Sequence, residues 1–207
     1  GQIGSWLLPA LRQHYGDSNV LATDVRHLGS EITEPGPFQL LDATDAKAVG
    51  RAVIRHDADT VYHLAAILSA VGESDPRLAW HVNMVSLESV LDVAREQRCA
   101  VFTPSSIGVF GPDTPKDRTP QDTLMRPSTI YGVTKVAGEL LCDYYHQRFG
   151  VDTRGVRYPG LISYGAPPGG GTTVSSSRAG ETTSTSSGRR RTQTIAPSSG
   201  RCSPLTV

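Results

Sequence analysis

The stretch STIYGVTK, residues 128–135, brings together a phenol and an ammonium group that could act as a chemical pair. Tyr131 and Lys135 are four residues apart, so in a helix they lie one turn apart on the same face. A phenol beside a cation loses its proton more easily and can serve as a general base. The same spacing also occurs in an exposed Tyr and Lys on an ordinary amphipathic helix, so other segments must distinguish the two interpretations.

Two other segments supply side chains that could join this pair. HLAA (63–66) ends one predicted strand, and TPSSIGVFG (103–111) follows another. The carboxyl ends of parallel strands meet at one edge of a sheet, so we expect Ser106 to lie near Tyr131 and to donate a hydrogen bond to the same substrate oxygen. Ser105 is the local alternative. We interpret His63 as a satisfied core or strand-end residue rather than a base or ligand.

The N-terminal segment GQIGSWLL has the composition of a phosphate-binding turn. Gly1 and Gly4 precede an amphipathic helix, and glycines there let backbone N–H groups approach a pyrophosphate. A flexible N-terminal cap is the alternative. Asp24 ends the predicted strand NVLATDV, and an acid at this distance accepts hydrogen bonds from an adenosine ribose and repels a 2′-phosphate. The pattern therefore predicts NAD rather than NADP, although Arg26 could weaken that preference.

The elements that must position these residues alternate along the chain. Runs rich in Val, Leu, Tyr and Phe predict strands, and segments with apolar residues at three- and four-residue steps predict helices. This alternation indicates an α/β protein with a Rossmann-like, doubly wound parallel sheet. The predicted strands are 19–25, 37–44, 59–66, 100–106 and 152–160, and the predicted helices after the N-terminal one are 45–57, 77–97 and 128–150.

Composition narrows the function classes. The chain has 207 residues, 38% of them hydrophobic, which suits one soluble domain and no membrane span. Its 20 basic and 20 acidic residues cancel, so net charge indicates no nucleic-acid or membrane partner. Cys99, Cys142 and Cys202 are widely spaced, which predicts no metal site and fits a reducing compartment. We find no signal-peptide pattern and expect a cytoplasmic location.

The two ends of the chain depart from this pattern. No strand precedes the N-terminal helix, so we expect the first strand of the sheet to be missing. From Val174 onward the sequence is rich in Ser, Thr, Arg and Gly and lacks periodicity, which predicts a disordered tail. We therefore divide the chain into a dinucleotide-binding domain (1–173) and a tail (174–207). The arginines 189–191 form only a weak RNA-binding footprint.

Taken together, these motifs resemble the extended short-chain dehydrogenase/reductase family over residues 1–173. The resemblance implies a nicotinamide dinucleotide, a catalytic Ser106, Tyr131 and Lys135, and an adenine-side acid at Asp42. The cofactor-binding residues that it implies are Gly1, Gln2, Ile3, Gly4, Asp24, Val25, Arg26, Asp42, Ala43, Leu64, Ala65, Ala66, Asn83, Tyr131, Lys135 and Leu161.

Six segments are similar to the L-threonine 3-dehydrogenase branch of that family: GQIGSWL, HLAAILSAVGE, WHVNM, PSSIGVFGP, RPSTIYGVTK and GVRYPGLISYGAPPGGGTT. The resemblance implies that L-threonine is oxidised by NAD to 2-amino-3-oxobutanoate, with Ser69, Ser106 and Tyr131 at the substrate. It also implies a homodimer through a four-helix interface, and a mitochondrial matrix location if the source is eukaryotic.

After GGGTT the similarity stops, and the tail has the composition of a sequence translated in a shifted frame. We therefore expect this chain alone to produce no appreciable NADH from threonine. Two other functions stay open at this point. One is a nucleotide-sugar epimerase or dehydratase, which uses the same Ser, Tyr and Lys but re-reduces its product. The other is a non-catalytic remnant that binds the dinucleotide without turnover.

Overall fold

The computed structural model describes residues 1–29, 33–163, 174–175 and 204–206. The strands are β1 (Leu21–Asp24), β2 (Phe38–Leu40), β3 (Thr60–Tyr62), β4 (Ala100–Phe102), β5 (Ser105–Ser106), β6 (Thr153–Arg154), β7 (Arg157–Tyr158), β8 (Ile162–Ser163), β9 (Val174–Ser175) and β10 (Pro204–Thr206). Six of them form the main parallel sheet, in the order β2-β1-β10-β3-β4-β6. The other four form two parallel pairs, β5 with β7 and β8 with β9.

Helices connect the strands of the main sheet, as the alternating pattern predicts. The Rossmann-like α/β class is confirmed, and each strand and helix expected from the sequence is present near its expected position. The helices are α1 (Gln2–Tyr15), α2 (Ala46–Arg55), α3 (Ser69–Ser74), α4 (Pro76–Trp80), α5 (Ser86–Gln97) and α6 (Ile130–Phe149), with a π-helical turn at His81–Val85 and 3₁₀ turns at Asp17–Asn19 and Ile107–Val109.

Two apolar clusters cover opposite faces of the sheet. Along β1, Leu21 belongs to the larger cluster, whereas Ala22 belongs to the smaller one, because successive strand residues point to opposite faces. The larger cluster joins the sheet to α2, α5 and α6 through residues such as Val61 and Leu91. The smaller cluster packs α1 against Val20 and Ala22. The functional residues therefore sit on elements held by a well-buried core.

The position between β1 and β3 is filled from the far end of the sequence. A sheet without its first strand would leave unpaired backbone groups on the neighbouring strands, but β10 lies between β1 and β3 and runs parallel to both. Leu205 is paired with Leu21 on one side and with Val61 on the other. The physical reason is that unpaired N–H and C=O groups inside a sheet are costly, so an extended segment there is stabilising. Disorder was expected for the whole tail, 174–207, but Val174–Ser175 and Pro204–Thr206 form strands. The other tail residues lie outside the described part of the chain, so disorder there stays a prediction.

The helical stretch from 77 to 97 is less regular than the sequence pattern predicts. It divides into α4, the π-helical turn and α5, and Asp75 caps α4 by accepting a hydrogen bond from the Leu78 N–H at 3.0 Å. The short helix α3 before it was not expected from the sequence. Among the described residues, none of the helices has the length and apolar character that a membrane crossing requires.

Candidate active site

Ser106 and Tyr131 converge on Gly108. Ser106 ends β5 and accepts a hydrogen bond from the Gly108 N–H at 3.1 Å. Tyr131 lies in the first turn of α6, and a Cβ atom on Gly108 would be 3.3 Å from its ring and 3.4 Å from the Ser106 hydroxyl oxygen. Both side chains are buried. The hydroxyl and the phenol, which the sequence separates, are thus neighbours at the carboxyl edge of the sheet.

A second glycine makes this convergence possible. A Cβ atom on Gly132 would lie 2.2 Å from the Gly108 carbonyl oxygen and 2.5 Å from the Pro127 side chain. Both distances are too short for a Cβ atom, so only glycine fits at this position. The first turn of α6 therefore contacts the 3₁₀ turn backbone to backbone. Thr129 fixes the start of the helix, because its hydroxyl accepts the Gly132 N–H at 3.0 Å.

Lys135 lies one turn beyond Tyr131, as its spacing predicts. Its ammonium donates a hydrogen bond to the Pro104 carbonyl at 2.8 Å and is 5.6 Å from the centre of the Tyr131 ring. Burial lowers the pKa of Lys135 to about 8, while Cys142 and Glu139 act in the opposite direction. The ammonium is therefore charged at neutral pH and begins to lose its proton just above it.

The phenol of Tyr131 is less acidic than a free tyrosine in this structure. Burial raises the pKa of Tyr131, and the hydrogen bond with Ser106 offsets part of that increase. From the sequence we expected Lys135 to lower the pKa of this phenol; here the loss of solvation is the largest effect. A phenolate at Tyr131 therefore needs further positive charge in the site.

Ser105 belongs to a different network. Its hydroxyl donates to Glu139, and Arg157 forms a two-point ion pair with the same carboxylate, at 2.9 Å from Nε and 2.6 Å from Nη2. Arg157 also donates to the Gln121 carbonyl at 2.8 Å, so it ties the loop before α6 to the helix. Burial alone would raise the pKa of Glu139, but hydrogen bonds from Arg157 and Ser105 bring it below its usual value.

Neither member of this ion pair was identified from the sequence. The one available signal was the spacing of Glu139, which is four residues after Lys135 and so shares its helix face. Arg157 carried no signal, because its partner lies on another element. The geometry therefore leaves Ser106, rather than Ser105, beside Tyr131.

Asn83 occupies the π-helical turn and is buried. Its amide accepts the Ile67 N–H at 2.7 Å, donates to the Ile67 carbonyl at 3.1 Å and donates to the Thr134 hydroxyl at 2.9 Å. The family resemblance implied that Asn83 is one of the cofactor-binding residues. In the structure these contacts make it a tie between the loop after β3 and the helix that carries Tyr131 and Lys135.

The first turn of α1 is where the sequence predicts a pyrophosphate site. Gly1 is the N-cap of α1, Gln2 and Ile3 begin the helix, and the N–H groups of a first turn point out of the helix. A Cβ atom on Gly4 would be 3.7 Å from Leu64, so this turn lies against the loop that continues through Ala65 and Ala66. A dinucleotide could therefore run from α1 across the end of β3.

Two of the predicted cofactor-binding residues are acidic and lie at the carboxyl ends of the neighbouring strands β1 and β2. Asp24 ends β1, accepts the Arg26 N–H at 3.0 Å and lies 3.6 Å from the largely exposed Arg26 guanidinium. Val25 beside it is exposed. Asp42 accepts two hydrogen bonds from Thr44, from the N–H at 2.9 Å and the hydroxyl at 2.8 Å, so its carboxylate already stabilises the turn before α2.

The remaining predicted site residues are partly or fully buried. Ala43 is buried in the main core, so only its backbone could face a cofactor. Ser69 begins α3 and is half-buried, and Leu161 is half-buried beyond β7. Within the described residues, no group of three or more His, Cys, Asp or Glu side chains is arranged to hold a metal ion.

A cavity of about 1160 Å³ lies on the Lys135 side of α6. His63, Asn83, Ser105, Lys135 and Glu139 are among its lining residues, whereas Ser106 and Tyr131, both described, do not line it. His63 Nε2 is 3.2 Å from the Ser86 hydroxyl, and its Nδ1 has no partner in the described part of the chain. Burial, followed by the charge of Lys135, lowers the pKa of His63 to about 3, so the imidazole is neutral.

A comparison with protein families gives one model that matches residues 1–181, that of the NAD dependent epimerase/dehydratase family. Among curated proteins, an uncharacterized epimerase/dehydratase of Staphylococcus saprophyticus is 55% identical over 171 residues. That alignment covers 82% of this chain and 53% of the staphylococcal protein. The chain thus spans about half the length of the curated relatives that it matches.

Solved structures give a similar result. L-threonine dehydrogenase from Clostridium difficile is 56% identical with a TM-score of 0.80, over 83% of this chain and 54% of that one. The holo form of a GalE-like L-threonine dehydrogenase from Cupriavidus necator is 50% identical with a TM-score of 0.79, over 83% and 55% of the two chains.

The backbone contact at Gly132 predicts opposite effects for two glycine replacements in α6. Alanine normally stabilises a helix interior by about 1 kcal/mol relative to glycine. Gly132→Ala should instead destabilise the chain by roughly 2 kcal/mol, because the new methyl group meets the rigid Gly108 carbonyl. Gly138→Ala is the matched control, since its methyl group would meet only the flexible end of Leu87 at 3.1 Å. Urea unfolding of both variants checks this, and equal midpoints would contradict the close approach.

The low pKa of Lys135 predicts a pH-dependent stability. Between about pH 8 and its ordinary value of 10.5, the lysine holds its proton more often in the unfolded chain than in the folded one. The free energy of unfolding therefore gains a contribution from Lys135 as the pH rises through this window, of about 3 kcal/mol in total. Lys135→Met lacks this contribution. Denaturation of both proteins at several pH values should show their stability difference changing across the window; a constant difference would contradict the shift.

Proposed function

Because the chain belongs to the NAD dependent epimerase/dehydratase family, we propose that it forms the catalytic part of an enzyme that oxidises the 3-hydroxyl group of L-threonine. The product is 2-amino-3-oxobutanoate, and Tyr131 is the general base. The observation that carries this proposal is the convergence of Ser106 and Tyr131 on Gly108, with Lys135 one turn away. The two L-threonine dehydrogenases of about half identical sequence support the choice of substrate.

The cofactor is NAD, in keeping with the family and with the fit of the first turn of α1 and Asp24. When bound, NAD supplies the hydride acceptor. Gly1, Gln2, Ile3 and Gly4 would hold its pyrophosphate through backbone N–H groups, and Asp24 would accept hydrogen bonds from its adenosine ribose. Leu64 and the two alanines after it would form the apolar floor between the two halves of the dinucleotide.

Three side chains of this chain have separate roles in removing the proton of the threonine hydroxyl. Tyr131 takes the proton of the threonine hydroxyl at its phenolic oxygen, and Ser106 donates a hydrogen bond to that substrate oxygen. Lys135 contributes positive charge beside the ring, which favours the phenolate. Because burial raises the pKa of Tyr131, we propose that this phenol acts as a base only with a second positive charge beside it, which an oxidised nicotinamide would supply.

The chain spans about half of its relatives' length, so we propose the complete activity for a protein of the relatives' length. Ser69, at the start of α3, is the residue of that helix that we propose for the substrate pocket. We expect that these 207 residues by themselves do not oxidise threonine.

A second candidate function comes from the description of the family, which covers epimerases and dehydratases. A nucleotide-sugar epimerase would use the same Ser106, Tyr131 and Lys135 and would return the hydride to its product. Net NADH formation discriminates between the two, because only the threonine reaction accumulates it. Dinucleotide binding with no reaction of either kind would favour a non-catalytic remnant.

The partner proposals follow the same reasoning. We propose a small-molecule substrate, and a homodimer through a four-helix interface that involves α6. Exposed apolar side chains on α4 and α6 support this interface, including Trp80 at 48%, Leu140 at 59% and Tyr144 at 53% exposure. We propose a cytoplasmic location, in line with the staphylococcal relatives. A mitochondrial location has no support from those relatives.

Tyr131→Phe tests the base. The substitution keeps the ring packing and removes the oxygen that accepts the proton. In a protein of the relatives' length, turnover should therefore fall by roughly 10² to 10⁴ with little change in NAD affinity. Tyr144→Phe is the control: it keeps the exposed aromatic ring that the proposed interface would bury, so it should leave both quantities unchanged. Absorbance of NADH and a fluorescence titration measure them. Turnover within threefold of the parent would remove Tyr131 from the mechanism.

Asp24 predicts the choice of dinucleotide. A carboxylate repels a ribose 2′-phosphate, so the protein should bind NAD at least about tenfold more tightly than NADP. Asp24→Asn keeps an acceptor oxygen for the Arg26 N–H and removes the charge, so it should narrow this preference. Titrations of the parent protein and of Asp24→Asn with NADH and NADPH give the ratio of the two affinities for each protein. An unchanged ratio in Asp24→Asn would exclude this charge as the selector.

A further inference from the structure

Helix α3, residues Ser69–Ser74, packs closely on the first turn of the helix that carries Tyr131. Gly72 is buried in this contact, and a Cβ atom there would lie 3.1 Å from the Ile130 side chain and 3.3 Å from Ala79. The absence of a side chain lets the backbone of α3 approach Ile130. Residue 130 is the first residue of α6 and directly precedes Tyr131.

Glu73 connects the same two helices by a hydrogen bond. Its carboxylate accepts the Ile130 N–H at 2.8 Å, across a separation of 57 residues. A first-turn N–H has no acceptor inside its own helix, and a carboxylate there also interacts favourably with the positive end of the helix. Thr129 accepts the Gly132 N–H, so Glu73 and Thr129 serve different donors of the same turn.

The segment that contains α3 has a second attachment to α6. Asn83 binds the backbone of Ile67 on one side and the hydroxyl of Thr134 on the other. Residues 67–73 are therefore held to α6 at Ile130 and at Thr134, and Tyr131 lies between these two points. Displacement of α3 must move or loosen the turn that orients the phenol.

We propose that Glu73 is a positioning residue for Tyr131, which couples the placement of α3 beside the substrate to the orientation of the phenol. This role rests on the proposed function, in which Ser69 faces the substrate and Tyr131 is the base. Glu73 acts through Ile130 and makes no contact with the reacting atoms. It differs from a simple helix cap because the carboxylate comes from the helix that begins with Ser69, the residue proposed for the substrate pocket.

Three variants of the protein test this role. Glu73→Ala removes the acceptor, Glu73→Gln keeps an acceptor oxygen without charge, and Glu96→Ala removes an exposed carboxylate near the end of α5 as the matched control. The first readout is hydrogen exchange at the Ile130 amide. Loss of a charged hydrogen bond should speed this exchange about tenfold or more in Glu73→Ala, with a smaller change in Glu73→Gln and none in the control.

The second readout is the pKa of Tyr131, obtained from tyrosinate absorbance as the difference between each variant and its Tyr131→Phe counterpart. Looser packing should admit water and lower this pKa towards that of a free phenol in Glu73→Ala, with a smaller shift in Glu73→Gln. Faster Ile130 exchange with an unchanged Tyr131 titration would reduce Glu73 to a helix cap and overturn the proposal. An unchanged Ile130 amide would overturn it as well.

These measurements need no turnover, so they are independent of the identity of the substrate. Failure to oxidise threonine, with a normal response of Tyr131 to the Glu73 variants, would contradict the proposed function and leave the coupling in place. Glu73→Gln differs from the parent by one charge and preserves the shape of the side chain. If Glu73→Ala does not fold, Glu73→Gln still decides the question. Unchanged exchange at the Ile130 amide and an unchanged pKa of Tyr131 in Glu73→Gln would overturn the role.

Discussion

The contact between the backbones of Gly132 and Gly108 is the constraint on which the candidate site depends. It brings the first turn of α6 against the 3₁₀ turn after β5, at a distance that excludes even a methyl group. Ser106 and Tyr131 are neighbours only because these two elements touch. The capping of α6 by Thr129 and the hydrogen bond from Lys135 to Pro104 then fix the helix along and around its axis.

Polar side chains secure the loops around this contact, since apolar packing alone does not specify loop positions. The pair Glu139–Arg157 holds the loop before α6, and Asn83 holds the loop after β3. Each of these groups is wholly or partly buried and has several partners, as buried polar groups require. The same burial changes the chemistry of the site, because it makes Lys135 easier to deprotonate and Tyr131 harder to deprotonate.

Features that depend on local periodicity could be predicted from the sequence. The buried runs around Val61 and Val101 predicted strands, and the spacing of Tyr131 and Lys135 predicted a shared helix face; the structure has both. Features that depend on distant partners could not be predicted. The pairing of Glu139 with Arg157 and the position of β10 could not be derived locally, because in each case the deciding contact is made by a residue remote in sequence. The balance of effects on Tyr131 likewise follows from burial, which spacing does not reveal.

The π-helical turn at His81–Val85 has a consequence for how this region can vary in length. A π turn holds one more residue than the α-helical turn that it replaces, but it turns the chain by about the same angle. One residue added to a helix that keeps its α winding would instead rotate everything after it by about 100°. The π turn therefore accommodates its extra residue without rotating α5 relative to α4. Deleting one residue so that an α turn is restored would leave the core face of α5 directed as before, so this turn is a place where the helix tolerates a change of length by one residue.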